Sequence, residues 1–297
     1  YLTKMGEVHP TQINRVEWTD QDFQDLNDAY ASVFAQTSGS ELLTVIPMNE
    51  HPYDGIVSSL PEVFGSTEKN DFYYQGTHSK AYDELSQRQR FTMVLRNPVT
   101  QLPDTICPPD SMVYASASLR GDLRQQSIFK LRTEQDGSSS TSSLRQTNYK
   151  YTTGRYITLY RLQTVYLRYA EALNRMGLPN TAFAVLKYGL CRDNLIRNIG
   201  GKAVDLIPSW ERERGGELIN FSQYTFTSQN TVGIHSRGCG RADADKTYAI
   251  PACATLADSI NAVEALIVDE MALETAFEGH RFYDLMRVAL RRSDPSY

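Results

Sequence analysis

The sequence lacks three features that mark common protein classes: a long apolar run, a basic run and closely spaced cysteines. No stretch of about 18 uncharged apolar residues occurs, so we expect no helix that spans a membrane. The net charge is -5 and no long Lys/Arg run is present, which argues against nucleic acids and anionic membrane surfaces as partners. No Cys-x-x-Cys pair indicates a zinc knuckle or a redox dithiol, and free thiols or disulfides both remain open for Cys107, Cys191, Cys239 and Cys253.

A targeting segment is also lacking at the start of the chain. Tyr1 stands where an initiating Met would be, and no charged region, apolar region or lipid-bearing cysteine follows it. We therefore expect a processed chain or a fragment of a longer protein.

Helical periodicity is the strongest pattern that the sequence does have. A middle stretch predicts a hairpin of two antiparallel helices over 159–197. Gly177 is placed to end the first helix, Pro179 prevents its continuation, and Asn180 can cap the second. The run Tyr-Ala-Glu-Ala-Leu-Asn-Arg-Met-Gly over 169–177 is of the kind found in tetratricopeptide hairpins, in which a small Ala lets a partner helix approach.

Two further periodic stretches complete the prediction of a mainly α fold. One covers 20–34, and the other predicts C-terminal helices over 258–291 that open at the capping residues Asp258 and Ser259. Within the last helix we expect three apolar side chains to face inward: Phe282, Leu285 and Met286.

The remaining segments predict a small β-hairpin and long ordered loops. Strands are expected over 127–132 and 148–152, with the Gly/Ser-rich run 137–143 as the loop that joins them. Pro, Gly and Asn interrupt 46–125 and 200–255, so these segments are expected to be irregular.

Motifs for cofactors, metals and nucleophilic catalysis are incomplete. Gly233 and Gly238 have the spacing of a phosphate-binding loop, but Cys239 stands where its lysine is required. His235 lies near Cys239 without further spaced ligands, and the Asp-Ala-Asp run at 243–245 lacks the remaining groups of a calcium loop. No Gly-x-Ser-x-Gly elbow occurs. We therefore expect no cofactor, no metal and no nucleophilic hydrolase.

A cluster of charged residues near the C-terminus could be taken for an acid/base site. Ion pairing at spacings of three residues would favour the charged carboxylates, which is the wrong direction for a general acid. We therefore interpret the cluster as a structural network, with no catalytic residue, formed by Glu274, Glu278, Arg281, Asp284 and Arg287.

Two stretches of the chain resemble signatures of the SusD/RagB family. The first covers 159–177, Leu-Tyr-Arg-Leu-Gln-Thr-Val-Tyr-Leu-Arg-Tyr-Ala-Glu-Ala-Leu-Asn-Arg-Met-Gly, and the second covers 269–287 with the specific core Glu-Thr-Ala-Phe-Glu-Gly-His-Arg-Phe-Tyr-Asp-Leu over 274–285. The segments 233–240 and 121–124 are also similar to family segments. The whole of 1–297 is thus similar to the C-terminal part of a longer protein, without the family's N-terminal helices and lipid-bearing cysteine.

The resemblance implies a lipid-anchored protein on the outer surface of the Bacteroidetes outer membrane. Such proteins bind a nutrient, a glycan or in some cases a peptide, and act as a lid on a SusC-like, TonB-dependent outer-membrane barrel. The family has no catalytic residues, which agrees with the expectation of a non-enzyme. We expect the segments 46–125 and 200–255 to carry much of the surface that meets the barrel.

Aromatic side chains in the irregular segments are the candidate ligand contacts, because a flat ring can stack on the C–H face of a sugar. The candidates are Tyr53, Phe72, Tyr73, Tyr74 and Trp210. Three alternatives stay open: a peptide-binding, RagB-like protein, a helical-repeat scaffold that binds only protein, and a polysaccharide hydrolase with two carboxyl groups at a fixed gap.

Overall fold

The described part of the chain is mainly helical, as the periodicity predicts, and its strands form two-stranded antiparallel sheets. The computed structural model describes residues 13, 16, 30–35, 41–48, 55–64, 78–91, 93–96, 99–106, 113–114, 117–118, 121–135, 142–148, 150–151, 156–190, 196–199, 202–215, 233–239 and 247–294.

The helices, after a 3-10 turn at Ala31–Ala35, are α1 (Leu60–Val63), α2 (Lys80–Arg88), α3 (Leu123–Ile128), α4 (Leu162–Arg175), α5 (Pro179–Tyr188), α6 (Ser209–Gly215), α7 (Ile234–Cys239), α8 (Leu256–Glu274) and α9 (Arg281–Arg292). The strands are β1 (Leu42–Pro47), β2 (Met93–Arg96), β3 (Pro103–Ile106), β4 (Val113–Tyr114), β5 (Ala117–Ser118), β6 (Phe129–Gln135), β7 (Ser142–Asn148), β8 (Tyr156–Arg161), β9 (Ile196–Ile199) and β10 (Lys202–Asp205).

The chain divides into two compact units. The helical unit comprises Tyr1–Asn14, Leu162–Arg237 and Arg241–Tyr297, and the hairpin unit comprises Arg15–Arg161 and Gly238–Gly240. The prediction that 1–297 is a single SusD/RagB-like region rests on sequence resemblance. The division into two units does not test it, so it stays a prediction.

The core of the helical unit is the hairpin of α4 and α5, against which α8 packs. One face of α4 is buried at the predicted spacing, through Leu162, Tyr166, Ala170 and Leu173. Gly177 adopts a φ of +81°, which a residue without Cβ tolerates, and the chain turns there as predicted. The hairpin is shorter than 159–197, because 156–161 is a strand and α5 ends at Tyr188.

The start of α8 differs from the prediction by one turn. The cap is Thr255, whose hydroxyl accepts a hydrogen bond from the backbone N–H of Asp258 at 3.1 Å. The Asp258 carboxylate accepts the backbone N–H of Thr255 at 3.1 Å in return, which completes a capping box. Asp258 is therefore the third helical residue and not the cap.

The orientation of α9 contradicts the sequence prediction. Phe282 is 70% exposed and Met286 is 43% exposed, whereas Asp284 and Val288 are buried. The helix turns Asp284 inward because that carboxylate has guanidinium partners on α4 and on α9 itself. An ion pair therefore decides which face of the helix is buried, and Phe282 and Met286 lie on the solvent side, with Leu285 half-buried between the two faces.

The predicted β-hairpin exists in the hairpin unit, with a different register. The strands β6 and β7 pair from Phe129 with Asn148 to Gln135 with Ser142, so the prediction of a strand over 148–152 is wrong. The segment after Glu41 forms β1, which pairs with β8. The segments 46–125 and 200–255 contain short helices and hairpins where long loops were expected.

Candidate functional site

The two stretches that carry the family resemblance meet in the helical unit. Arg168 on α4 donates from Nη2 to Oδ1 of Asp284 on α9 at 2.5 Å. Arg287 donates to the same carboxylate oxygen at 3.3 Å. On α4, Glu171 accepts hydrogen bonds from Arg175 and from Arg287. The network thus joins side chains that are 116 residues apart in the sequence.

The carboxylates of this network are buried and the guanidinium groups are half-buried. Asp284 is 2% exposed and Glu171 is 6% exposed. Burial lowers the pKa of Arg287, but the hydrogen bonds and charges of Glu171 and Asp284 outweigh burial, so its pKa lies above the ordinary value. The cation therefore stays charged and holds α9 to α4.

The structure does not gather the rest of the predicted cluster into one site. Arg281 donates from Nη1 to the carbonyl oxygen of Val268 at 2.8 Å. Burial lowers the pKa of Arg281 below its ordinary value, and the negative charges of Asp269 and Asp284 offset only part of this effect. Glu278 lies in the turn between α8 and α9, where its backbone N–H donates to the carbonyl of Thr275 at 3.1 Å.

Glu274, the first residue of the cluster, belongs to a second group of buried charges. Its Oε1 lies 3.4 Å from Nη1 of Arg237, and both side chains are fully buried. One turn earlier on α8, Oε1 of Glu270 lies 2.9 Å from Nδ1 of His235, and both side chains are again fully buried. The two carboxylates of α8 therefore each engage a basic side chain of α7.

The His235 ring is held on its face as well as at Nδ1. It stacks on the ring of Tyr248 with a centroid distance of 3.5 Å and an interplanar angle of 5°. Lys187 fixes the Tyr248 backbone, because its Nζ donates to the Tyr248 carbonyl at 2.6 Å. This is the arrangement of a packed core histidine.

Close packing against neighbouring atoms accounts for the two glycines with phosphate-loop spacing. A Cβ on Gly233 would lie 2.2 Å from the carbonyl carbon of Lys187. In the hairpin unit, a Cβ on Gly238 would lie 2.2 Å from Oδ1 of Asp122, which is itself paired with Arg124. A Cβ at Gly233 would thus meet backbone atoms that cannot move aside, and a Cβ at Gly238 would displace the paired side chains of Asp122 and Arg124.

Of the predicted ligand contacts, Trp210 is the one that falls in the described part of the chain. It lies on α6 with 38% of its surface exposed. The other four lie outside the described residues: Tyr53, Phe72, Tyr73 and Tyr74.

The neighbour of Trp210, Glu211, fastens α6 to the start of α5. Its carboxylate accepts hydrogen bonds from the backbone N–H and the side-chain amide of Asn180 at 2.9 and 2.8 Å. It also accepts the backbone N–H and the hydroxyl of Thr181 at 2.7 and 2.6 Å. The residue at the N-cap position of α5 is Leu178, whose side chain makes no capping hydrogen bond. The prediction of Asn180 as the cap is therefore wrong. Glu211 instead accepts the hydrogen bonds of the free backbone N–H groups at the start of the helix.

The helical spacing of Arg168, Glu171 and Arg175 was a sequence signal for part of this site. Residues three and four apart share a helix face, and such alternation of charge indicates ion pairing. No local pattern indicated that Glu211 would reach a helix that begins more than 30 residues earlier.

Neither a metal cluster nor a membrane-spanning helix is found in the described ranges. No group of three or more His, Cys, Asp or Glu side chains is placed there to hold a metal ion. No helix among them has the length and apolar character to cross a bilayer. The run 243–245 lies outside those ranges, as do Cys107 and Cys191, whereas Cys239 and Cys253 are free thiols.

Comparisons with known proteins give no relative from which a role could be transferred. No family model matches the sequence. Searches among curated proteins and among solved structures find no match either.

Proposed function

We propose that this protein is a SusD/RagB-like, surface-exposed nutrient-binding lipoprotein, not an enzyme, that delivers its ligand to a SusC-like, TonB-dependent outer-membrane barrel. The observation that carries the proposal is the contact between the two stretches that resemble the family. Arg168 of the first stretch and Asp284 of the second are paired at 2.5 Å in one packed helical unit. Two stretches that contact each other in one packed unit support the resemblance more strongly than either stretch would alone.

The proposal includes a tetratricopeptide-like architecture for the helical unit. The hairpin of α4 and α5, with α8 packed against it, is a tetratricopeptide-like element. Its short connection and its small buried residues, Ala170 and Ala182, allow the close helix approach that such hairpins use.

The chemistry of the charged network supports binding over catalysis. The Asp284 carboxylate is engaged by Arg168 and Arg287, and that of Glu171 by Arg175 and Arg287. A buried carboxylate that is held by two guanidinium groups serves to hold helices together and is not available to a substrate. The ligand is a glycan in the primary form of the proposal and a peptide in its RagB-like alternative.

Co-purification from native outer membranes tests the proposal. The full-length protein, solubilised in mild detergent, is expected to elute with a TonB-dependent barrel. Deletion of that barrel or of this protein is expected to abolish growth on the same nutrient. A matched strain that carries a barrel deletion from an unrelated uptake system serves as the control.

Two results would contradict the proposal. The full-length protein could elute without any barrel while uptake remains unchanged in both deletions. Alternatively, the purified protein could turn over an oligosaccharide or a peptide with a rate that is lost on substitution of one carboxylate.

A further inference from the structure

The solvent side of α9 carries an apolar stripe. Phe282, Met286 and Leu290 recur at spacings of four residues, so they lie one above the other along the helix. They are 70%, 43% and 73% exposed, and Tyr283, beside Phe282, is 64% exposed. The rings of Phe282 and Tyr283 meet edge to face, with centroids 5.5 Å apart. We refer to these four residues as the α9 stripe.

The size of the α9 stripe indicates a contact site. An aromatic side chain has about 150–250 Å² to bury, and the four residues together expose apolar surface on the order of 400 Å². The largest apolar patch on a typical monomer is about 300–600 Å², and a patch of that size is often functional.

The opposite side of α9 is anchored, so the stripe lies on a fixed element of the helical unit. Asp284 pairs with Arg168 of α4 at 2.5 Å. Near the end of the helix, Nε of Arg292 donates to Oε2 of Glu264 on α8 at 2.7 Å, and Arg291 donates to the same carboxylate. Rotation of α9 to bury the stripe would leave both buried carboxylates without these partners, which is costly. A second protein surface can cover the stripe without that loss.

The spacing of the stripe is symmetric about its centre. Phe282 and Leu290 lie four residues to either side of Met286, about 6 Å from it along the helix axis. Two copies of α9 that pack antiparallel about a two-fold axis at Met286 would place Met286 opposite its equivalent. Each Phe282 would then face Leu290 of the second copy. Such an isologous contact uses the same surface on both copies and closes as a dimer.

The charges of α9 are largely compensated within each copy. Arg287 pairs with Asp284, and Arg291 and Arg292 both pair with Glu264. Three cations engage two carboxylates here, and the whole chain has a net charge of -5, so both the local surplus and the net charge place like charges on the two copies. Attraction between copies must therefore be apolar, and salt should strengthen it by screening that repulsion.

We propose that the α9 stripe is a homodimer interface, at which two copies of this chain pair their α9 helices antiparallel about a two-fold axis at Met286. The stripe has about half of the roughly 800 Å² that each partner buries in a stable complex, so the expected dimer is weak, with a dissociation constant on the order of 10–100 µM. The inference goes beyond the proposed function, because neither nutrient capture nor delivery to a barrel requires a second copy.

Sedimentation equilibrium of the full chain measures the association. We expect a monomer–dimer equilibrium across about 5–300 µM protein, which brackets the expected dissociation constant. Raising NaCl from about 50 mM to about 500 mM should tighten the dimer about twofold to fivefold, because a shorter Debye length screens the like charges. A chain that stays monomeric over the whole range overturns the inference, as does a dimer that salt weakens.

Substitutions at Met286 locate the axis, because a residue on the axis faces its own equivalent. Met286→Asp and Met286→Lys are each expected to weaken the dimer by about tenfold or more, since each brings two like charges together. An equimolar mixture of the two variants should dimerise again, which also shows that both are folded. Leu256→Asp is the control, since Leu256 is exposed on α8 roughly two turns before Glu264, and it leaves the dissociation constant unchanged.

A double-mutant cycle on Phe282 and Leu290 tests the antiparallel register. Phe282→Ala and Leu290→Ala are each expected to weaken the dimer by about threefold to thirtyfold. In the antiparallel pairing both substitutions remove the same contact, so the loss in the double variant is smaller than the product of the single losses. In a parallel pairing the two residues do not meet, and the losses multiply.

Other occupants of the stripe give distinct results. A dimer that Met286→Asp leaves intact forms through another surface, and a mixture of the two Met286 variants that stays monomeric places the axis elsewhere. A chain that is monomeric but sediments with vesicles of phosphatidylcholine and phosphatidylglycerol, and loses this binding in Met286→Asp, has a membrane contact. Each of these results overturns the inference and leaves the proposed function standing. Absence of a co-purifying barrel would contradict the proposed function and leave the dimer in place.

Discussion

Two buried clusters, one around Arg237 in the helical unit and one around Phe34 in the hairpin unit, stabilise their cations in different ways. In the helical unit, Arg237 lies fully buried opposite Glu274. In the hairpin unit, Nζ of Lys150 lies 4.2 Å from the ring centroid of Phe34, and the Arg161 guanidinium carbon lies 5.3 Å from it. Both of these cations are buried, and the ring face provides part of their attraction.

This difference bears on how each cluster responds to substitution. An ion pair loses most of its value when one partner becomes neutral, because the other charge is left buried without compensation. An aromatic face attracts a cation more weakly, and its replacement by an aliphatic side chain keeps most of the packing. The Arg237 cluster should therefore depend on its charged partner, and the Phe34 cluster on the shape of its packed side chains.

Glu274→Gln is expected to have the largest effect. The substitution keeps the shape of the side chain but leaves Arg237 buried without its carboxylate, at a cost of about 3–5 kcal/mol in the free energy of unfolding. Urea denaturation followed by far-ultraviolet circular dichroism measures the loss. Glu213→Gln, an exposed substitution in the same unit, is the control, with an expected change within about 0.5 kcal/mol. A loss as small as the control's would contradict the comparison.

Phe34→Leu is expected to have an intermediate effect in the hairpin unit. The substitution keeps most of the apolar volume and removes the ring beneath Lys150 and Arg161, so we expect a loss of about 2 kcal/mol. Phe91→Leu is the matched control, because Phe91 is buried in the same unit and contacts no cation or ring among the described residues. Its loss should be smaller by about 1 kcal/mol. Equal losses would mean that the ring acts through packing alone.

The smallest expected effect is a pH dependence carried by Tyr169 on α4. Burial raises the pKa of Tyr169 to about 12, whereas an unfolded tyrosine titrates near 10. The folded state thus binds the phenol proton more tightly, so its contribution to stability is complete below about pH 10 and declines between about pH 10 and 12. Urea midpoints at about pH 9 and about pH 11 should fall further in the wild type than in Tyr169→Phe. Parallel declines in the two proteins would contradict this assignment.

Periodicity in the sequence located the helices α4, α5, α8 and α9, but it did not determine which side of each helix faces outward. The buried face of α4 was predictable because its apolar residues recur at spacings of three and four on one side. The same rule failed for α9, where Phe282 and Met286 are exposed and Asp284 is buried. A carboxylate is buried only where a cationic partner compensates its charge. The partner of Asp284 is Arg168, which lies on another helix.

The candidate site was predictable to a similar extent. The sequence placed Asp284 and Arg287 as neighbours, and they lie 3.3 Å apart. Their contacts with Arg168 and Glu171 depend on how α9 packs against α4, which no local pattern encodes. The hydrogen bonds of Glu211 could not be predicted from the sequence for the same reason.

A double-mutant cycle on Arg168 and Asp284 tests most directly whether the two resembling stretches form one structural element. The cycle measures the free energy of unfolding of Arg168→Met, of Asp284→Ala and of the double variant. A direct pair at 2.5 Å predicts a coupling free energy of about 1–3 kcal/mol. The exposed pair of Lys80 and Glu84 should give less than about 0.5 kcal/mol in the same measurement. Additive losses at Arg168 and Asp284, within about 0.5 kcal/mol, would show that the two stretches are not coupled and would contradict the account.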